Sequence, residues 1–279
     1  MSFSNILKFE FAKLFKRREF NIVLTLEIVL ISIFFIYVSI TLYKSPLSEL
    51  PSAYQLWIGY NNVNYNFIGD IYYLFFLTLP ACIAYSDTFL EDRKCNVFNL
   101  VITRCDKKLY ILSKGIVVFF SGFIVIFLPL FIHQLLCLVV MPLYSPSEVI
   151  AGNPVYDKYY LIKIYYKQLH TLNPYLHNML YIFLDGLFGG VIAFFSYSIS
   201  FLKNINRYVV IILPTVLFFI QNFLAAASGN ANYSLSYYLN VTTSIKDLNY
   251  ITYWISLAVL IIVGLCIIIL SNRLNKDAI

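Results

Sequence analysis

Charge is what this sequence has least of. Asp, Glu, Lys and Arg make up 12% of its 279 residues, about half the share usual in soluble domains. Hydrophobic residues make up 60% and the mean hydropathy is +0.76. A soluble fold of this length could not hide so much apolar surface, so a lipid bilayer must solvate most of it. None of the ten glycines belongs to a GxxxxGK[ST] run, the loop whose backbone amides cradle nucleotide phosphates. The chain is therefore not expected to hydrolyse ATP itself. HExxH and adjacent intramembrane glutamates are also missing, which leaves an intramembrane enzyme without its chemistry. The first residues mix basic and apolar side chains through Arg18, with no small-residue cleavage site after the first hydrophobic run, so they do not read as a signal peptide. The five cysteines (82, 95, 105, 137 and 266) show no CxxC spacing. Neither a zinc site, a structural disulfide nor any cofactor is expected.

Six long apolar runs are present: residues 20–42, 68–85, 115–143, 176–202, 208–227 and 251–271. Each approaches or exceeds the ~20 residues a helix needs to cross the hydrocarbon core. The fold class expected is all-α: a single polytopic transmembrane domain over 1–279. With the N-terminus inside, fifteen of the twenty Lys and Arg residues fall in inner segments, and only Lys44, Lys158, Lys163, Lys167 and Lys246 fall outside. That asymmetry predicts cytoplasmic N- and C-termini in a cell membrane. It also accounts for the net charge of +6 without nucleic-acid binding. Outer segments 44–67, 144–175 and 228–250 are rich in Tyr, Asn, Ser and Pro, and Trp57 suits an interfacial belt.

Residues 1–19 read as a surface helix. Phe3, Leu7, Phe11, Leu14 and Phe15 share one face, with Lys13, Lys16 and Arg17 directed away, a pattern suited to lying on the lipid bilayer. The inner segment 86–114 is too charged to cross it. Phe89–Val101 is expected to form one short helix with Leu90, Val97 and Val101 facing a partner or the bilayer.

The run Glu91-Asp92-Arg93-Lys94-Cys95-Asn96-Val97-Phe98-Asn99-Leu100-Val101-Ile102-Thr103-Arg104, followed by Asp106-Lys107-Lys108-Leu109-Tyr110-Ile111-Leu112-Ser113-Lys114, resembles the first inner loop of type 2 ATP-binding-cassette (ABC) permeases. In that family an acidic residue opens a short coupling helix and a TR…KK-Y-I-x-SK stretch leads into the third span. The basic N-terminal helix, six spans, inside termini and short turn at Asn204–Arg207 extend the resemblance over essentially the whole chain. Many members carry a glycine near the start of the coupling helix, where this chain has Cys95-Asn96. The resemblance implies a permease subunit of a bacterial exporter, paired with a second permease copy or a homologous permease as a dimer. A separate ATP-binding ABC subunit would hydrolyse the ATP, and Glu91, Arg93, Lys94, Val97, Val101 and Arg104 would make the coupling contact. The cargo implied is a peptide, drug or lipid-like amphipathic substrate. An immunity or sensor protein that binds a toxic peptide without transporting it is an open alternative.

Among the polar residues inside the apolar runs, Glu27, His133 and Asp185 stand out. Ionisable groups at bilayer depth usually face a cavity or partner, so Glu27 and Asp185 are candidates for a substrate path or a gating contact. Glu27 pairing with Arg17 or Arg18 is the structural alternative. His133 reads as a helix–helix hydrogen-bonding residue. The Gly186-Leu187-Phe188-Gly189-Gly190 run suits close helix packing, and Pro80, Pro129 and Pro214 are expected to kink their spans.

Overall fold

A computed structural model describes residues 3–46, 50–59, 69, 71–143, 166–241 and 249–274. The expected outer lysines 158, 163 and 246, and Lys276, lie outside these residues. All regular structure among the described residues is helical. Six helices are long and apolar enough to cross a membrane, and we read the chain as a multi-pass membrane protein.

Helix α1 covers Phe3–Lys16 and α2 covers Arg18–Thr41. The chain breaks between them at Arg17, whose backbone is extended at φ −74° and ψ 131°. The second span is composite over Tyr72–Lys94. A π-helical turn over Tyr72–Phe76 leads to α3, Leu79–Tyr85, with Pro80 in its first turn, and then to α4, Thr88–Lys94. Proline lacks the amide a continuous helix would use, so this span changes helical type just before it.

The expected single helix Phe89–Val101 is instead two. Helix α4 ends at Lys94, Asn96 takes the left-handed conformation at φ 56°, and α5 runs Val97–Ile102. Asparagine tolerates that region better than most residues because its short polar side chain bonds locally. Leu90, expected to face outward, is buried against Phe195, Ile199 and Val210.

Helix α6, Lys107–Val140, has 34 residues and is thus about 51 Å long at 1.5 Å per residue. It outruns a ~30 Å hydrocarbon core and begins eight residues before the apolar run does. Asp106 caps it, its carboxylate accepting from the Lys108 amide at 2.9 Å. After α7, Lys167–Leu172, comes α8, Pro174–Ile199, capped by Asn173 with proline at its first position. Helix α9 spans Arg207–Ala227, α10 is the short Ser236–Leu239 turn, and α11 spans Tyr250–Leu274.

Helices α6 and α8 form the closest pair in the bundle, and glycine is the reason. A Cβ on Gly122 would lie 2.5 Å from the Gly189 carbonyl oxygen; one on Gly190 would lie 2.8 Å from the Phe119 ring, and one on Gly186 2.9 Å from the Phe123 ring. Gly186 and Gly190 thus take the α6 phenylalanines between them. In lipid, helix association depends on such van der Waals contact, because lipid tails are as apolar as the side chains themselves. Around this pair, α1 and α2 pack on α6, α3 packs on α2, α6, α8 and α9, and α11 packs on α8. The outward stripe Ile22, Leu26, Val29, Ile33, Ile36 and Ile40 of α2 is exposed at helical spacing, as a lipid-facing surface requires.

Two expectations about the flanks are corrected. Helix α1 turns Ile6, Glu10 and Leu14 into the protein and leaves Phe15 56% exposed, so its inner face meets α6 rather than acyl chains. Lys13 and Arg17 also point inward, held by carboxylates. Trp57 is fully buried, not interfacial. Residues 51–59 fold back into the bundle, where the Trp57 indole donates to the Leu130 carbonyl at 3.3 Å.

Candidate functional site: a buried ion network at the N-terminal end

Five elements bring their charged ends together where the N-terminus meets the bundle. Glu10 and Lys13 lie one turn apart on α1, and Arg17 follows at the break between α1 and α2. Around α4, Asp87 and Glu91 are one turn apart, while Asp92 points to another side. Helix α6 adds Lys114 from its first two turns and α9 adds Arg207 at its start.

The inner centre surrounds Lys114, which is completely buried. Its ammonium binds the Asp92 carboxylate and lies 3.3 Å from Glu10 Oε2. Lys13 Nζ reaches the other Asp92 oxygen at 2.6 Å, and the Tyr110 hydroxyl donates to Asp92 at 2.5 Å. The Tyr85 hydroxyl donates to Glu10 at 3.0 Å. The ammonium also lies 5.2 Å from the centre of the Tyr110 ring, within cation–π range. Two cations balance two anions. A buried charge is costly unless paired and hydrogen-bonded, and here each carboxylate has both.

The outer centre surrounds Asp87, also fully buried. Arg17 Nη2 lies 2.7 Å from Asp87 and 3.2 Å from Glu91, and its Nε is 3.2 Å from Glu19. Arg207 clamps the same acids from α9, with Nε 2.5 Å from Asp87 and Nη2 3.0 Å from Glu19. Tyr85 joins the two centres: its hydroxyl serves Glu10 while the Arg17 guanidinium lies 5.4 Å above its ring. The second span, α1, α2, α6 and α9 are thereby tied at one end. A displacement of α4 would be felt by all of them.

Of the coupling residues expected from sequence, only Glu91 enters this network. Arg93 is exposed, its guanidinium 5.8 Å over the Phe89 ring. Lys94 and Arg104 are exposed at the same end, Val97 is half-buried, and Val101 packs against the core. Leu100 of α5 is 69% exposed. The element thus has an anchored side and an open side.

No family model, curated protein or solved structure matches this chain.

Of the intramembrane residues, Glu27 and Asp185 share Tyr72 as a neighbour, whereas His133 is engaged separately. Asp185 is fully buried and accepts from the Tyr73 hydroxyl at 3.1 Å. Glu27 is buried beside Tyr72, which stands in electrostatic contact with both acids. Arg17 is committed elsewhere, so the alternative pairing of Glu27 with Arg17 is not formed. Tyr181, Tyr250 and Tyr253 line the same interior, with the Tyr250 hydroxyl donating to Tyr181 at 2.7 Å and Tyr253 to the Leu184 carbonyl at 2.9 Å.

His133 is used differently from the expected helix–helix bond. It sits against the Phe34 and Phe35 rings, and its Nδ1 accepts from the Ile58 amide at 3.4 Å. Asn178 donates to the Tyr54 carbonyl at 2.9 Å and to Gln134 at 2.8 Å. Two of these bonds satisfy the Ile58 amide and the Tyr54 carbonyl of the non-helical segment 51–59, whose backbone is admissible beside spanning helices only when protein covers it. Nearby, His170 is buried with its ring 5.0 Å from His177 and 5.5 Å from Tyr54. Burial, with the neighbouring His177, pushes its pKa down to about 4. Among the described residues no group of three His, Cys, Asp or Glu could hold a metal, and all five cysteines are free thiols.

Proposed function

We propose that this chain is the membrane-spanning permease subunit of an ATP-driven exporter, with hydrolysis carried out by a separate ATP-binding subunit. The single observation that carries the reading is the two-sided loop between the second and third spans. Its inner side is fixed by Asp87, Glu91 and Asp92 to Arg17, Arg207, Lys13 and Lys114. Its outer side presents Arg93, Lys94, Leu100 and Arg104. A partner pushing on that outer side would act through a salt-bridged lever on α1, α2, α6 and α9 together, a rigid-body mode of switching. The excess of basic residues on this side supports its cytoplasmic placement, where an ATP-binding subunit works.

In this reading two permeases pair with two ATP-binding subunits, and the cargo is an amphipathic peptide, drug or lipid-like molecule. The chain has no phosphate-cradling loop of its own, which is consistent with that division. The test is purification of the tagged chain from its own membranes in mild detergent. A Walker-motif polypeptide in equal stoichiometry, with ATPase activity stimulated by candidate amphipathic peptides, is the expected result. A chain that purifies alone, is stable and gains no ATPase activity would overturn the reading.

A further inference from the structure

Helix α11 leans on α8 and leaves a cleft of about 900 Å³ between itself and α6. This is within the range of about 300–1,000 Å³ usual for small-molecule sites. Its walls are Ile111, Leu112, Ile116 and Phe119 from α6 and Leu265 and Ile268 from α11. The floor is the Phe194 ring of α8. Cβ atoms at Gly115 and Gly264 would come within 3.2 and 3.3 Å of that ring, so the two glycines allow it to lie deep between the walls. Leu112, Leu265 and Ile269 beside its open side are exposed.

The chemistry of this cleft is uneven along its length. One end carries Lys107, Lys108 and Arg273, and among the described residues no carboxylate lines it. None of these three cations forms an ion pair among the described residues. Lys107 lies 5.9 Å over the Phe98 ring, and the adjacent Asp106 is engaged in capping α6. An apolar trough ending in unpaired cations matches a molecule with a long hydrocarbon tail and an anionic head. We propose that the cleft binds an anionic glycerophospholipid of the surrounding leaflet, one acyl chain along the trough and the phosphate at Lys107, Lys108 and Arg273. A second copy of the chain fits less well. In parallel orientation it would bring the same basic end against these cations, while most of the acids of that end are held in the buried network. The site is independent of the transport reading.

The test compares phosphatidylglycerol with phosphatidylcholine of identical acyl chains on the purified full-length chain, with bound lipid read by native mass spectrometry. Three cations at the headgroup correspond to a preference on the order of a hundredfold for phosphatidylglycerol. The triple variant K107Q/K108Q/R273Q should bring that preference below about threefold. Leu265→Trp, which fills the trough, should lower occupancy by both lipids. Equal binding of the two lipids by the unmodified chain would overturn the proposal without recourse to any variant. Undiminished preference in the triple variant would also overturn it, as would displacement of the lipid by inorganic phosphate alone. Loss of a dimer in Leu265→Trp with lipid binding intact would assign the cleft to a second copy instead.

Discussion

Replacing Lys114 with methionine keeps an unbranched side chain, one atom shorter, and removes the charge together with its N–H donors. The ammonium serves two acids, and their fates differ. Asp92 keeps Lys13 at 2.6 Å and the Tyr110 hydroxyl at 2.5 Å, whereas Glu10, 1% exposed, keeps the Tyr85 hydroxyl and loses the cation 3.3 Å away. Breaking a buried pair by removing one partner costs about 3–5 kcal/mol. At roughly 2–4 °C per kcal/mol for a chain of this size, the unfolding midpoint should fall by roughly 6–20 °C. Since Asp92 retains two partners, the lower half of that range is expected. The second arm of the experiment is E10Q/K114M, which removes the abandoned charge as well and should recover at least half of the loss. The assay is thermal unfolding in detergent, followed by size-exclusion of the surviving monodisperse protein. An unchanged midpoint in Lys114→Met would refute burial of the ammonium. Penalties that simply add in the double variant would refute its coupling to Glu10.

Further outcomes follow for four other variants. Gly122→Leu should abolish a monodisperse fold, because even a Cβ there would meet the Gly189 carbonyl at 2.5 Å and overpacking already costs about 1–3 kcal/mol per site in cores that can relax; normal elution of this variant would place the α6–α8 crossing elsewhere. Arg93→Glu should leave thermal stability within about 0.5 kcal/mol, as exposed substitutions usually do, yet weaken association with an ATP-binding subunit. Glu91→Lys should do both kinds of damage, since Glu91 also contacts Arg17, and equal loss of stability in the two variants would contradict this separation. His170 is held neutral by burial, with a folded pKa of about 4 against about 6.5 unfolded. Its contribution is complete above pH ~6.5 and is lost as pH falls towards 4, because the unfolded chain takes up the proton first. His170→Phe should flatten the slope of the midpoint between these pH values, and an unaltered slope would assign the acid sensitivity to another group.

The spans were legible because hydropathy reports a local property: each apolar run became a helix with ends within a few residues, apart from two. Helix α6 begins at Lys107 rather than Gly115 because Asp106 caps it and because Lys114 is neutralised by residues from α1 and α4. The second span continues through Asp87 and Asp92 for the same reason. These charges look like solvated topology signals when each is read beside its sequence neighbours, since Lys114 and Asp92 meet across 22 residues and the α1–α2 partners of Asp92 and Asp87 lie 79 and 70 residues away. One signal was present: Glu10, Lys13 and Arg17 recur at three- and four-residue steps in the sequence, and the acids that answer the two cations cluster at 87–92. The burial of Trp57 had no such signal, because hydropathy cannot distinguish an aromatic at an interface from one folded back onto His133 and Leu130.

The buried ammonium of Lys114 also sets an order of events during synthesis. Glu10 leaves the ribosome about a hundred residues ahead of Lys114, an interval of roughly 5–20 s at usual elongation rates. For that time α1 carries a carboxylate whose cation has not yet been made, and it cannot dock. The N-terminal helix therefore seats only after the third span has been made, although it is the first to be translated. A chain that stalls before its third span is left with its first helix undocked, a difference that a quality-control protease could recognise.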